Sequence, residues 1–259
     1  MTATAETGFR SEITDGVLRL TFDRPKRMNA IDLPTMSAFA AAVRDGGADP
    51  AVRTIVITGS GRAFCTGADL AAAAVNPADP KVVMDAATSL IRAVTSAPVP
   101  VIAAVNGPAA GVGVSIALAA DLTYAASSAY FLLSFVNIGL MPDGGASALV
   151  PAAIGRARAA EMALLGERVS ADDAERFGLV SRTVSDEDFA THIQSIADRT
   201  SKAPRRALEL TKRALNAATL DRLDAALELE NIGQAELLTG DDFKEGATAM
   251  LQKRAPQYK

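Results

Sequence analysis

Two stretches of this sequence carry residue types and spacings that can do chemistry. The first, Val101–Ala120, reads VIAAVNGPAAGVGVSIALAA. An apolar run of strand character reaches Asn106-Gly107, Pro108-Ala109-Ala110 makes a small-residue bend, and Gly111-Val112-Gly113 opens an apolar helix. A strand feeding a glycine-rich turn into a helix start presents unpaired backbone N–H groups and the positive end of a helix dipole. Such a site holds an anion, either a phosphate on a bound ligand or an oxygen that becomes charged only during a reaction. The second stretch, Met141-Pro142-Asp143-Gly144-Gly145, carries a carboxylate. Pro-Asp-Gly-Gly is also a strong turn signal and Asp a favoured helix N-cap, and residue types alone favour the turn.

Other reactive side chains read as structural. Cys65, in SGRAFCTGADL (Ser60–Leu70), has no His near it in sequence and reads as a buried thiol. His192 lies in a polar helical stretch and is expected at the surface. Ser115 has no visible His or Lys partner to make it a nucleophile. Asp69 and Asp121 each precede a Leu at an element boundary, as capping or packing residues do. One Cys and one His build neither a disulfide nor a zinc site. A net charge of −4 argues against nucleic-acid binding, which needs a basic face. The first residues, MTATAETGFRSEITDG, lack a basic-then-apolar leader pattern. The longest apolar run, Val99–Leu118, is broken by Asn106, Gly107 and Pro108. A soluble, cytoplasmic protein is expected.

The elements that must position these stretches follow from periodicity. Phe9–Thr14 and Val17–Asp23 alternate around Asp15-Gly16 as a β-hairpin. Arg24–Ala30 reads as a loop, and Asp32 with Pro34 starts a helix that ends near Gly46-Gly47. Thr54–Thr58, Leu122–Ala126 and Ala129–Leu133 read as strands, and Lys81–Ser96 as a helix. Ser170 and Asp173 make a capping box, and Gly178-Leu179-Val180 a short extended piece. Helices are expected over Asp186–Arg199, Arg205–Asn216, Leu220–Leu238 and Asp242–Lys253. Three times a strand ends in a glycine-containing turn before a helix, which suggests a repeated β-β-α winding with its loops on one side. The amphipathic helical tail suits a second domain, a cap or a subunit interface, and an interface is favoured.

Five segments together resemble the enoyl-CoA hydratase/isomerase, or crotonase, superfamily: RPKRMNA (Arg24–Ala30), GRAFCTGADL (Gly61–Leu70), AAVNGPAAGVGVSIALAADL (Ala103–Leu122), IGLMPDGG (Ile138–Gly145) and DFKEGATAMLQKR (Asp242–Arg254). They run in order over essentially the whole chain. The resemblance implies an α/β fold, a spiral of ββα turns over residues 1–195, with a C-terminal helical region at 196–259 for trimerisation and capping of coenzyme A. A homotrimer or dimer of trimers is implied, with an acyl-CoA thioester as substrate, no separate cofactor, no metal, and no nucleic-acid or membrane partner. The thioester oxygen would be held by the backbone N–H groups of Ala68 and Val112. Val112 stands where the resemblance makes glycine most common, so its side chain would narrow the acyl pocket. Lys26, Arg27 and Ala30 would line the coenzyme, with the backbone of Thr66, Ala68, Asp69 and Leu70 against its adenine and pantetheine portions. Phe135 would border the acyl group, and Lys253 matches a lysine that reaches a CoA phosphate in some relatives.

Hydratases resembling this chain use two glutamates, and here those positions hold Ser115 and Phe135, neither able to act as an acid or base. Members resembling 3,2-enoyl-CoA isomerases and the ring-opening isomerase of phenylacetate breakdown carry an acid at the position of Asp143. The resemblance therefore points to an enzyme that shifts a double bond from 3-enoyl to 2-enoyl with Asp143 as proton shuttle. The alternatives are a 2-enoyl-CoA hydratase or a non-catalytic CoA-thioester-binding trimer.

Overall fold

The computed structural model describes residues 7–258, so the leader expectation lies outside the described residues over 1–6. The hairpin forms as its alternation requires: β1 (Phe9–Thr14) pairs antiparallel with β2 (Val17–Phe22), Thr14 opposite Val17. The chain then lays down β3 (Thr54–Gly59), β4 (Val101–Val105), β5 (Ala109–Ala110), β6 (Leu122–Ala126), β7 (Tyr130–Leu132), β8 (Arg168–Ser170) and β9 (Arg182–Val184). One sheet has the order β1-β2-β3-β4-β6-β9 and is parallel from β2 onward. A smaller sheet has the order β5-β7-β8.

Helices alternate with these strands: α1 (Leu33–Ala48), α2 (Leu70–Val75), α3 (Pro80–Ser96), α4 (Val112–Ala119), α5 (Ala146–Leu165), α6 (Ala171–Phe177), α7 (Phe189–Ser201), α8 (Arg205–Thr219), α9 (Leu223–Leu237) and α10 (Asp241–Leu251). The expected winding is present. β4 runs in the large sheet, β5 in the small one, and α4 follows; β6, β7 and α5 repeat the order. An isolated parallel bridge between Cys65 and Ala109 carries the pattern back to the turn after β3. Asp32 caps α1 by accepting the Thr35 N–H at 3.0 Å.

Few as the aromatics are, Phe9, Phe22, Phe39 and Phe64 gather in one buried cluster, with Phe22 stacked on Phe39 at 4.4 Å and edge-on to Phe64 at 5.9 Å. Phe64 thereby anchors the loop that carries Cys65–Asp69. Behind the large sheet, α7 packs Phe189, Ile193 and Ala197 against Val56 and Ile102. No helix among the described residues is long and apolar enough to cross a membrane.

Three local expectations change. Pro108-Ala109-Ala110 is not merely a bend, because Ala109 and Ala110 pair with Phe131 and Leu132 in the small sheet. Gly178-Leu179-Val180 is not extended: Gly178 adopts φ +84° and closes α6, with Leu179 N–H donating back to Ala174 O at 2.8 Å. The strand comes later, at β9, since a left-handed glycine cap must finish the helix first. His192 is half-buried rather than fully at the surface, its ring edge-on to Tyr124 at 5.1 Å.

Candidate active site

The site begins where two glycines bring two loops together. A Cβ on Gly67 would lie 3.0 Å from Ala110 O and 3.6 Å from Gly111 Cα, so only a residue without one permits the approach. Gly67 (φ +93°) and Gly111 (φ +54°) both need the left-handed region. Each precedes a donor. Ala68 forms a parallel bridge with Ile31, in which Ile31 N–H donates to Gly67 O and Asp69 N–H to Ile31 O, both at 2.9 Å. That pairing turns the Ala68 N–H to the opposite side, where no acceptor meets it among the described residues. Val112 is the first residue of α4, whose N-cap, Gly111, has no side chain to offer, and its N–H is likewise without an acceptor. The structure thus brings Ala68 and Val112 together as a pair of open donors.

Packing fixes this pair. Ala110 N–H donates to Cys65 O at 2.9 Å, and a Cβ on Gly113 would fall 2.1 Å from that same oxygen. Cys65 is fully buried, and burial pushes its thiol up to about 12, which makes it the inert structural thiol its surroundings suggested.

The turn that carries Asp143 packs on the helix that Val112 opens. A Cβ on Gly144 would lie 3.1 Å from both Val112 Cγ2 and Ser115 Cβ, so the Asp143-Gly144 turn rests directly on the start of α4. Ser115 Oγ donates to Asp143 O at 2.8 Å. The side chain receives one hydrogen bond, from Gln234 Nε2 to Oδ2 at 2.8 Å, while Oδ1 is buried with no partner. Burial pushes the Asp143 carboxyl up to about 7; the Gln234 hydrogen bond opposes the shift and the charge of Glu230 adds to it. A buried carboxyl of that kind can take and return a proton near neutrality.

The sequence matches the enoyl-CoA hydratase/isomerase family over residues 12–259. It is 42% identical over 250 residues to a probable enoyl-CoA hydratase of Rhodobacter capsulatus, covering 96% of each chain. It is 38% identical over 253 residues to the 1,2-epoxyphenylacetyl-CoA isomerase of Escherichia coli, covering 96% of this chain and 97% of that one. A crystal structure of an enoyl-CoA hydratase from Mycobacterium avium subsp. paratuberculosis superposes with a TM-score of 0.92 at 43% identity, over 97% of this chain and 98% of that one. The chain belongs to the enoyl-CoA hydratase/isomerase family.

As a member of the enoyl-CoA hydratase/isomerase family it is an enzyme with a crotonase-like α/β fold, and its remaining site residues fall into three groups. Ser115 and Phe135 are both buried; Phe135 Cζ lies 3.8 Å from where a Cβ on Gly111 would be. Asp69 acts within the chain: it caps α2 through Ala72 N–H at 3.0 Å and accepts Arg24 Nη2 and Arg27 Nη1, each at 2.8 Å. Arg27, expected along the coenzyme, is therefore engaged by Asp69. Arg24 also donates to Ala30 O at 2.7 Å and Thr66 Oγ1 to Met28 O at 3.0 Å, which locks the 24–30 loop onto the 66–70 loop. Leu70 opens α2, half-buried. Lys26, on that rim, is exposed with no ion pair among the described residues. Lys253 is exposed beyond α10, and among the described residues no hydrogen bond or ion pair joins it to the 24–30 loop.

Two buried residues that bond to the Asp143–Ser147 segment were not singled out in the sequence. Glu230 is fully buried and accepts Gly145 N–H at 2.6 Å, Ser147 N–H at 2.8 Å and Ser147 Oγ–H at 2.5 Å, capping α5 from a distant helix. Gln234 is buried one turn further on. The signal was present in α9: its buried stripe runs Leu223, Leu227, Glu230, Gln234, polar residues continuing an apolar phase. The apolar Leu229 and Ile232 face outward instead, 66% and 65% exposed.

Proposed function

We propose that this enzyme moves the double bond of an acyl-CoA thioester from the 3- to the 2-position, with Asp143 carrying the proton. Asp143 Oδ1 takes the proton from C2, the C–H electron pair passes into a dienolate, and the same oxygen returns the proton at C4. The Ala68 and Val112 N–H groups face the thioester oxygen as it gains charge, and preorganised donors strengthen with that charge. The observation that carries the reading is Asp143 Oδ1: buried, unpartnered, and on a turn packed against Val112. Ser115 and Phe135 leave the positions of the hydratase glutamates without a carboxylate, and one carboxyl suffices for a 1,3-proton shift.

Coenzyme A enters as part of the substrate, with Lys26 on the rim available to its phosphates and Phe135 beside the acyl group. The outward Leu229 and Ile232, together with Leu164, Leu165 and Leu215, support a homotrimer or dimer of trimers that would cover them. The test mixes purified protein with a 3-enoyl-CoA and follows the ultraviolet absorbance of the conjugated product, wild type beside Asp143→Asn. A rise that the variant loses supports the reading. Hydration of a 2-enoyl-CoA without isomerisation replaces it with the hydratase alternative. CoA-thioester binding with no turnover of either regioisomer, or of 1,2-epoxyphenylacetyl-CoA, leaves the non-catalytic alternative.

A further inference from the structure

α9 contributes more than packing to the site. Glu230, Gly233 and Gln234 lie on one face of it and together receive the segment from Met141 to Ser147. A Cβ on Gly233 would fall 2.4 Å from Met141 Sδ, so the glycine makes room for that side chain. Gln234 uses both ends of its amide: Oε1 accepts Met141 N–H at 3.2 Å and Nε2 donates to Asp143 Oδ2 at 2.8 Å. The backbone N–H can only donate, so it sets which end of the amide is oxygen and directs the Nε2 donor to the carboxyl. Glu230 holds Gly145 and Ser147, immediately after the carboxyl-bearing turn.

We propose that Gln234 and Glu230 are positioning residues for the Asp143 proton carrier, Gln234 occupying Oδ2 so that Oδ1 alone exchanges the proton, and Glu230 fixing the turn that aims it. The assignment rests on the isomerase reading of Asp143. An oxygen that already accepts an N–H is a poor place for a proton, so both removal from C2 and return at C4 pass through Oδ1. The groups facing the carboxyl are few. From α9 come the acid Glu230 and the neutral Gln234; Ser115 and Val112 of α4 meet the backbone of the same turn at Asp143 O and Gly144; no cation pairs with Asp143 among the described residues. The two α9 residues act on the carboxyl in opposite directions, since the Gln234 hydrogen bond favours the ionised form and the Glu230 charge disfavours it.

That opposition separates positioning from scaffolding. Gln234→Met, nearly isosteric and without a donor, and Glu230→Gln, which removes the charge, are compared with wild type once thermal melts show that each is folded. Asp143 is titrated by its 13C carboxyl resonance, assigned by its absence in Asp143→Asn, and kcat and KM are measured with a 3-enoyl-CoA. The midpoint is expected to move up in Gln234→Met and down in Glu230→Gln. In Gln234→Met, kcat is expected to fall roughly 10- to 100-fold with KM little changed, the size expected when a reacting group is misplaced by about an ångström. An unmoved midpoint, or an unmoved kcat, in a folded Gln234→Met overturns the proposal even if Glu230→Gln does not fold. No turnover by the wild type sinks the isomerase reading instead, and the titration alone then decides whether the pair governs the carboxyl.

Discussion

Gln234 Nε2 lies 2.8 Å from Asp143 Oδ2 across 91 positions of sequence, and it is the one hydrogen bond the carboxyl side chain receives among the described residues. A C-terminal helix thus completes a site whose other parts come from the strand–turn–helix windings. The behaviour of the carboxyl it holds yields two predictions, and the loops around it two more.

The activity should rise with pH along a limb centred near 7. The base must be ionised to take a proton, and burial holds Asp143 protonated up to about 7. Asp143→Asn should lower kcat roughly 10²- to 10⁴-fold and remove the limb from what remains. A pH–rate profile on a 3-enoyl-CoA checks both; a wild-type limb near 4 would mean that the carboxyl is ionised far more easily than its burial requires.

Stability should move against activity. Unfolded, the carboxyl releases its proton near its ordinary 3.8; folded, it keeps the proton until about 7. The folded state binds the extra proton between those values, so stability falls as pH rises from about 4 to about 7, and above that the cost is complete. Asp143→Asn, which has no charge to bury, should therefore melt several degrees higher than wild type at pH 8 and close to it at pH 4. A cost on the order of a few kcal/mol is implied. Thermal melts at the two pH values decide it.

Val112→Pro tests one donor. Proline is accepted at the first position of a helix and has no N–H, while its ring takes the place of the valine side chain. The folded variant should bind CoA thioester and lose roughly 10²- to 10³-fold in kcat. Equal rates with wild type would show that Val112 N–H does not meet the reacting oxygen.

Lys26 and Arg27 should part company. Lys26→Ala removes an unpaired rim charge and should raise KM several-fold at low salt with kcat unchanged, the difference shrinking as salt screens it. Arg27→Ala breaks the pair with Asp69 and should lower the melting temperature as well. Kinetics at two ionic strengths, with melts of both variants, test the distinction.

Much was legible in the chain because its signals are local. Period-two alternation wrote the Phe9–Phe22 hairpin, Asp32 and Pro34 wrote the start of α1, and the small residues of Gly107–Gly113 wrote a turn into a helix start with open donors. The resemblance of five segments carried the fold and drew attention to Asp143. Sequence alone could not separate that aspartate from an ordinary turn residue, because a turn and a buried base share the same residue types. Only the tertiary structure shows that its Oδ1 is closed off from water and that Gly144 rests on Val112.

The sequence by itself determined the windings, the helix starts and the Gly67 and Gly111 positions, since each follows from backbone preferences over a few residues. Tertiary structure decided what faces what. It turned Glu230 and Gln234 inward and Leu229 and Ile232 outward on α9, engaged Arg27 with Asp69, and left Ala68 N–H open by pairing its neighbours with Ile31. The physical reason is range. Helical phase says which residues share a face, but which face is buried, and how far a buried carboxyl is held from ionising, depends on partners brought together from distant parts of the chain.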